Sequence, residues 1–236
     1  MLIENQFVYL PIPKNASTSI IYSILHWRFK VDFGDTMLNK LMYDQIDSNK
    51  PFAHYHNTYE YYKNIFPDKK TIGIYRPSED RFISALKYMV LMCKENGVEL
   101  KYNFEKLNEV EIIEIFSKIF FELDAIKEPI NNVELKQYDK DIHNIIKRNI
   151  TDDYLNFNKM HLNNFRSQYF WGLNKCDTVI NMSELNEFTN IIKKIKPNFN
   201  LIKMNKSNDI SLKITKSEEI INFVNKHIDY KWLNEK

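Results

Sequence analysis

The stretch PIPKNASTS, residues 11–19, decides how the chain is read. Residues 6–10, QFVYL, precede it and form an apolar segment of β-prone residues, which predicts a buried strand. Residues 17–29, STSIIYSILHWRF, follow it with Ile20, Ile21, Ile24 and Leu25 at helical spacing. The order is therefore strand, tight loop, helix. The loop holds Lys14, then the small residues Asn15 and Ala16, then the hydroxyls of Ser17, Thr18 and Ser19. A helix N-terminus presents backbone N–H groups and the positive end of its dipole, and small residues let an anion approach that backbone. Phosphate or sulfate is the natural ligand of such a loop. The competing reading makes Ser17, Thr18 and Ser19 ordinary helix caps and Lys14 a solvated side chain. The preceding strand and the Pro13–Lys14 pair weigh toward the anion. A phosphate loop of the ATP-binding kind requires G-x-x-x-x-G-K-[ST]. Here there is no glycine, and the lysine precedes the hydroxyls.

The whole chain sets the bounds. It has 236 residues, 44% hydrophobic and 27% charged, enough for one sizeable α/β core. A net charge of +2 provides no general excess for binding nucleic acid, so any acidic partner must meet a local patch. Cys93 and Cys176 are the two cysteines, and the expectation is two free thiols in a reducing compartment. The start MLIENQFVYL lacks a basic segment followed by an apolar one, and no run of 18 apolar residues exists. The expectation is a cytoplasmic protein without a membrane anchor.

Residues 51–67, PFAHYHNTYEYYKNIFP, carry His54 and His56. In an extended segment, residues two apart share a face, so both imidazoles would point to one site. Three readings compete. Metal binding lacks a third ligand nearby and any CxxC or HExxH pattern. A pair of structural histidines is the commonest outcome for such spacing. A catalytic base is the third, because an imidazole titrates near neutral pH. The tyrosines at 55, 59, 61 and 62 are read as helix packing.

Residues 70–75, KTIGIY, form a second strand, followed by RPSEDRFISALKYMVLM. Arg76 at the strand's end has the planar fork that holds phosphate bidentately, and Ser84 further along adds a hydroxyl. The alternative is a plain helix start, with Asp80 and Arg81 on a solvated face.

Together these residues resemble a known family. PKNASTS is similar to the 5′-phosphosulfate loop of the sulfotransferases that use 3′-phosphoadenosine 5′-phosphosulfate (PAPS). It looks closest to the membrane-anchored carbohydrate sulfotransferases, whose loop reads roughly P-K-x-[AG]-S-T-S. Arg76, Arg81 and Ser84 match the spacing of the family's R-x-P-x-x-R-x-x-S, although the proline stands directly after Arg76. AHYHNTY resembles the His-x-His segment of the heparan and dermatan uronosyl 2-O-sulfotransferases, which lies just upstream of the strand carrying that motif. The resemblance implies PAPS as cofactor, held by Lys14, Asn15, Ala16, Ser17, Thr18, Ser19, Arg76 and Ser84. It implies Lys14 and His56, or else His54, as catalytic groups, with no metal. The implied acceptor is a hydroxyl, most naturally on a glycan. For Arg81 a structural ion pair is the better reading.

The remaining chain predicts helices near 36–44, 79–94, 109–126, 136–148 and 184–196, and from Ser217 to His227, with a third strand at TVINM, 178–182. Ser183 with Asn186 or Glu187 has capping-box spacing. Arg166 and Gln168 are read either as reaching the cofactor or acceptor or as making loop hydrogen bonds. Strands alternating with helices, without repeats or linkers, predict α/β architecture. The expected form is a single P-loop-like domain over 1–236, with a mainly parallel central sheet flanked by helices. Two other functions compete with sulfuryl transfer: a P-loop-like nucleotide kinase, and an inactive module of the same fold that binds a glycan or a partner protein.

Overall fold

The computed structural model describes residues 2–3, 6–29, 56–95, 97, 100, 102–125, 164–203 and 210–229. In chain order these form β1 (Leu2–Ile3), β2 (Phe7–Leu10), α1 (Ser17–Phe29), α2 (Tyr59–Ile65), β3 (Lys70–Tyr75), α3 (Ser78–Glu95), α4 (Glu109–Ala125), α5 (Gln168–Trp171), β4 (Thr178–Asn181), α6 (Leu185–Ile195) and α7 (Glu218–Val224). Short 3-10 turns at Leu173–Lys175 and Met182–Glu184 flank β4, and a π-helical turn at Asn225–Asp229 follows α7. The helices expected near 36–44 and 136–148 lie outside the described residues.

The chain divides into two compact units. The first comprises Met1–Arg76 and Gln168–Met204, the second Pro77–Ser167 and Asn205–Lys236.

The first unit is built on a sheet in the order β1-β2-β3-β4. The three longer strands are parallel: Val8 lies beside Thr71 and Leu10 beside Gly73, while Ile72 lies beside Thr178 and Tyr75 beside Asn181. The two-residue β1 pairs antiparallel with β2. Parallel strands joined through helices make this an α/β arrangement, as the sequence pattern predicts. The period-2 geometry of a strand sends Phe7 and Tyr9 to one face and Val8 and Leu10 to the other. Phe7 and Tyr9 join Ile72, Ile74 and Ile180 beneath Ile20, Ile21, Ile24 and Leu25 of α1 and Phe188 and Ile192 of α6. Val8 and Leu10 pack with Ile12, Tyr62 of α2, Trp171 of α5 and Leu173. Both faces of the sheet are thus covered, which explains why β2 is buried along its whole length.

Gly73 marks the tightest packing in this sheet. A Cβ there would collide with the Leu173 side chain and come within 3.1 Å of Cys176 Sγ. The start of the β3–β4 pair is clamped by reciprocal bonds. Asp177 Oδ2 accepts from the Thr71 N–H at 2.7 Å and the Thr71 hydroxyl at 2.8 Å, while Asp177 N–H donates back to Thr71 Oγ1 at 3.1 Å.

The second unit is helical. On α3 the buried residues Phe82, Leu86, Met89, Val90 and Cys93 recur at three- and four-residue intervals, which is one helix face. They pack with Ile112, Phe116, Ile119 and Phe120 of α4, with Phe165, and with Ile220, Phe223 and Val224 of α7. Phe116 sits amid aromatic rings, 5.0 Å from Phe82 and 4.8 Å from Phe165 between centroids. Its helix starts with a capping box. Asn108 Oδ1 accepts from Glu111 N–H at 3.0 Å, and Glu111 Oε2 accepts from Asn108 N–H at 2.8 Å. Ser217 caps α7 by accepting from Ile220 N–H at 3.2 Å.

The expected capping box at Ser183 is not made. Asn181 caps the 3-10 turn, with its Oδ1 accepting from Ser183 N–H at 3.0 Å and from the Ser183 hydroxyl at 2.8 Å. Ser183 already belongs to the turn, two residues beyond the position that caps it.

Candidate anion-binding loop

Every described residue of the candidate loop belongs to the first unit. β2 ends at Leu10, and the chain turns at once: Ile12 N–H donates to Leu10 O at 3.0 Å, and Asn15 N–H to Ile12 O at 3.2 Å. Lys14 then has φ 65° and Ala16 φ 57°, while Asn15 between them keeps a negative φ. Two non-glycine residues in the left-handed region cost roughly 1–2 kcal/mol each. Alternation of hand along successive residues is the backbone pattern of an anion nest, although here the central N–H, that of Asn15, is turned to Ile12 O. The helix begins directly afterwards, with Ile20 N–H on Ala16 O at 3.0 Å. The nest and the first turn of α1 therefore share one N-terminal end, where intrahelical acceptors are lacking. The N–H of Asn15 closes the preceding turn, so Ala16, Ser17, Thr18 and Ser19 are the loop residues aligned with the helix start.

Three tertiary contacts hold this strained shape. Asn15 is fully buried, and its Nδ2 donates to Ile74 O of β3 at 2.6 Å and to Gln168 Oε1 at 2.5 Å. Its Oδ1, buried as well, has no hydrogen-bond partner among the described residues. Arg76 Nη1 donates to Lys14 O at 2.9 Å. The Gln168 amide, fully buried, pairs with the backbone of Arg76: its Oε1 accepts from Arg76 N–H at 3.1 Å and its Nε2 donates to Arg76 O at 2.9 Å. Arg76 is the first residue beyond β3, and this pairing continues the ladder with a side chain.

Of the hydroxyls, Ser17 is buried, Ser19 half-buried and Thr18 exposed, and Lys14 is half-buried. His56 meets the same loop from the other side of the sequence. Its Nδ1 lies 2.6 Å from Pro11 O. A carbonyl only accepts, so Nδ1 is the donor in this contact. The ring also packs 6.2 Å from the ring of the buried Trp171. His56 has φ 69°, so the chain is not extended at this residue. His54 lies outside the described residues.

Compared with protein-family models, with curated proteins and with solved structures, the chain gives no match. The loop's chemistry therefore rests on its own geometry.

Arg81 and Ser84 lie on α3 in the second unit. Arg81 is fully buried, which removes the solvated-face reading for it, and Asp80 pairs with Lys216 at 2.7 Å. Ser84 is half-buried. The tyrosines are packing residues, as expected for those described. Tyr62 is fully buried with its hydroxyl pushed far up by burial, and Tyr61 meets it edge-on at 5.6 Å. Both cysteines are free thiols. Burial pushes Cys93 up to about 11 and Cys176 up to about 12, so neither is a thiolate nucleophile near neutral pH. Among the described residues, no three His, Cys, Asp or Glu side chains group closely enough to hold a metal ion, and no helix is long and apolar enough to cross a membrane.

Sequence reasoning missed the part played by Asn15 and Gln168. It gave Asn15 a backbone contact to the anion and allowed Gln168 a loop hydrogen bond without a partner. The side chains instead grip each other across 153 positions, which no local pattern signals.

Proposed function

We propose that this chain is a sulfotransferase of P-loop-like fold, moving a sulfuryl group from PAPS to a hydroxyl of an acceptor, most naturally a carbohydrate. The observation that carries the proposal is the alternating hand of Lys14, Asn15 and Ala16 at the C-terminal end of a parallel strand and the N-terminus of α1. Strain without glycine is maintained where function requires it, and a nest at a helix start is suited to a tetrahedral anion.

In the proposed reaction the N–H groups of Ala16 to Ser19 hold the 5′-phosphate. Arg76, at the end of the neighbouring strand, takes the 3′-phosphate. His56 Nε2 removes the acceptor's proton as its oxygen attacks sulfur in line. The bond from sulfur to the bridging phosphate oxygen breaks, and Lys14 stabilises the charge that grows on that oxygen. The products are the sulfated acceptor and adenosine 3′,5′-bisphosphate, with the proton left on His56. In a neutral His56 ring, donation from Nδ1 to Pro11 O places the lone pair on Nε2, the atom this role requires.

Thermal unfolding with ligands tests the proposal. Adenosine 3′,5′-bisphosphate at about 100 times its dissociation constant should stabilise the protein by roughly 2.7 kcal/mol. ATP with magnesium at the same concentration should do much less. The reverse order would replace sulfuryl transfer with nucleotide kinase chemistry.

A further inference from the structure

We infer that Gln168 is the positioning residue of the anion loop, setting the loop's affinity for its ligand without touching it; this rests on the loop being the anion site proposed above. One amide carries three bonds. Its oxygen receives Asn15 Nδ2 and Arg76 N–H, and its nitrogen donates to Arg76 O. Asn15 lies between the two left-handed residues, Lys14 and Ala16. Moving the Asn15 side chain therefore shifts the hinge about which the nest curls. Arg76 is tied to the loop a second time, through its guanidinium on Lys14 O. Gln168 thus fixes at once the middle of the loop and the backbone from which Arg76 reaches the loop's edge.

The chemistry of the amide is specific to this task. Asn15 presents a donor, while Arg76 presents a donor and an acceptor, so the bridging group needs an acceptor and a donor on one planar end. Glutamine has both, glutamate at neutral pH only the first, and leucine neither. Gln168 is fully buried, so water does not replace a lost partner at its own position. The local backbone reinforces its aim. Gln168 opens the short helix α5, whose last residue, Trp171, is locked into the core beside Leu10 and Ile12. The side chain thus projects from a fixed platform.

The test compares the full-length protein with Gln168→Glu and Gln168→Leu by calorimetric titration at 15 °C, where folded baselines are verified by circular dichroism. The probes are adenosine 3′,5′-bisphosphate, pyrophosphate and inorganic sulfate. Misplacing binding groups by about 1 Å costs up to about 100-fold. The expected result is at least a tenfold loss of affinity in Gln168→Leu and a smaller loss in Gln168→Glu, which keeps the two acceptor contacts. A residue that served stability alone would lower the melting temperature and leave affinity in the folded baseline unchanged. Equal affinity in wild type and the size-matched Gln168→Glu and Gln168→Leu variants overturns the inference while leaving the bisphosphate reading intact. Wild-type binding of sulfate or pyrophosphate but not the bisphosphate, with the graded loss retained, overturns the PAPS reading while upholding Gln168. A wild-type protein that binds none of the three overturns both.

Discussion

The loop at residues 11–19 and the aromatic core of the second unit are held by opposite means. Around Phe116 the helices start with their own caps, from residues at most three positions away, and pack through apolar faces at helical spacing. Each residue there adopts a conformation it favours, and burial adds to that preference. In the loop, Lys14 and Ala16 adopt a conformation they disfavour, and it is imposed by hydrogen bonds from residues 59 to 153 positions away. The core is stable because its local and tertiary preferences agree. The loop is shaped because tertiary bonds override local ones, as expected where a site needs a geometry its residues do not choose.

The largest effect should come from the agreeing region. Phe116→Ala removes a fully buried ring from contact with Phe82, Phe120 and Phe165, and should cost about 3–5 kcal/mol of stability by urea unfolding. A loss below about 1 kcal/mol would show that this aromatic cluster is not the unit's main source of stability. The loop should behave differently, with function moving more than stability. His56→Ala should reduce sulfuryl transfer by at least about 100-fold, while bisphosphate affinity is retained. Near-wild-type turnover would remove His56 as the base and send the search to another residue, starting with His54.

The smallest effect tests something the two units share. Hydrogen bonds from Thr71, first from its backbone N–H and then from its hydroxyl, hold Asp177 below the usual carboxylate range. The Ser217 hydroxyl, then Thr215, do the same for Glu109 in the second unit. A depressed folded value stabilises the protein above the unfolded value, about 3.9 for Asp and 4.3 for Glu, and that stability is lost as pH falls through the folded value. Melting temperatures should therefore drop below about pH 4, and the Asp177→Asn and Glu109→Gln variants should each show a shallower drop. Asp177 is exposed and Glu109 half-buried, so solvent screens both and each effect should be small. An unaltered acid profile in both variants would exclude these two carboxylates as its source.

The α/β frame was legible because it follows from agreement. Phe7–Leu10, Lys70–Tyr75 and Thr178–Asn181 are β-branched and aromatic runs, and α1, α3 and α4 follow apolar residues at three- and four-residue intervals. The strand–loop–helix outline around Lys14 was legible as well, since apolar runs of different period flank the loop. Its construction was not. Positive φ at Lys14 and Ala16 leaves no trace when glycine is absent, and His56 departs from extended backbone without a turn residue to announce it. The capping box expected at Ser183 was misplaced because a 3-10 turn precedes the helix: Asn181 caps that turn, and Ser183, inside it, is the donor. Gln168 looked like one polar side chain among several in MHLNNFRSQYFW, and only the tertiary fold reveals its partners.

The bond between Asn15 and Gln168 also fixes a sequence of events. A ribosome adding about 5–20 residues per second needs roughly 8–30 s to travel from one to the other. Throughout that interval the strand, the lysine and the three hydroxyls are already made, yet the amide that holds them in shape does not exist. The nascent chain therefore carries the residues of the loop long before it carries the contacts that give the loop its shape. That strut arrives only with the last third of the polypeptide, so a chain cut short before residue 168 lacks the contact that completes the loop.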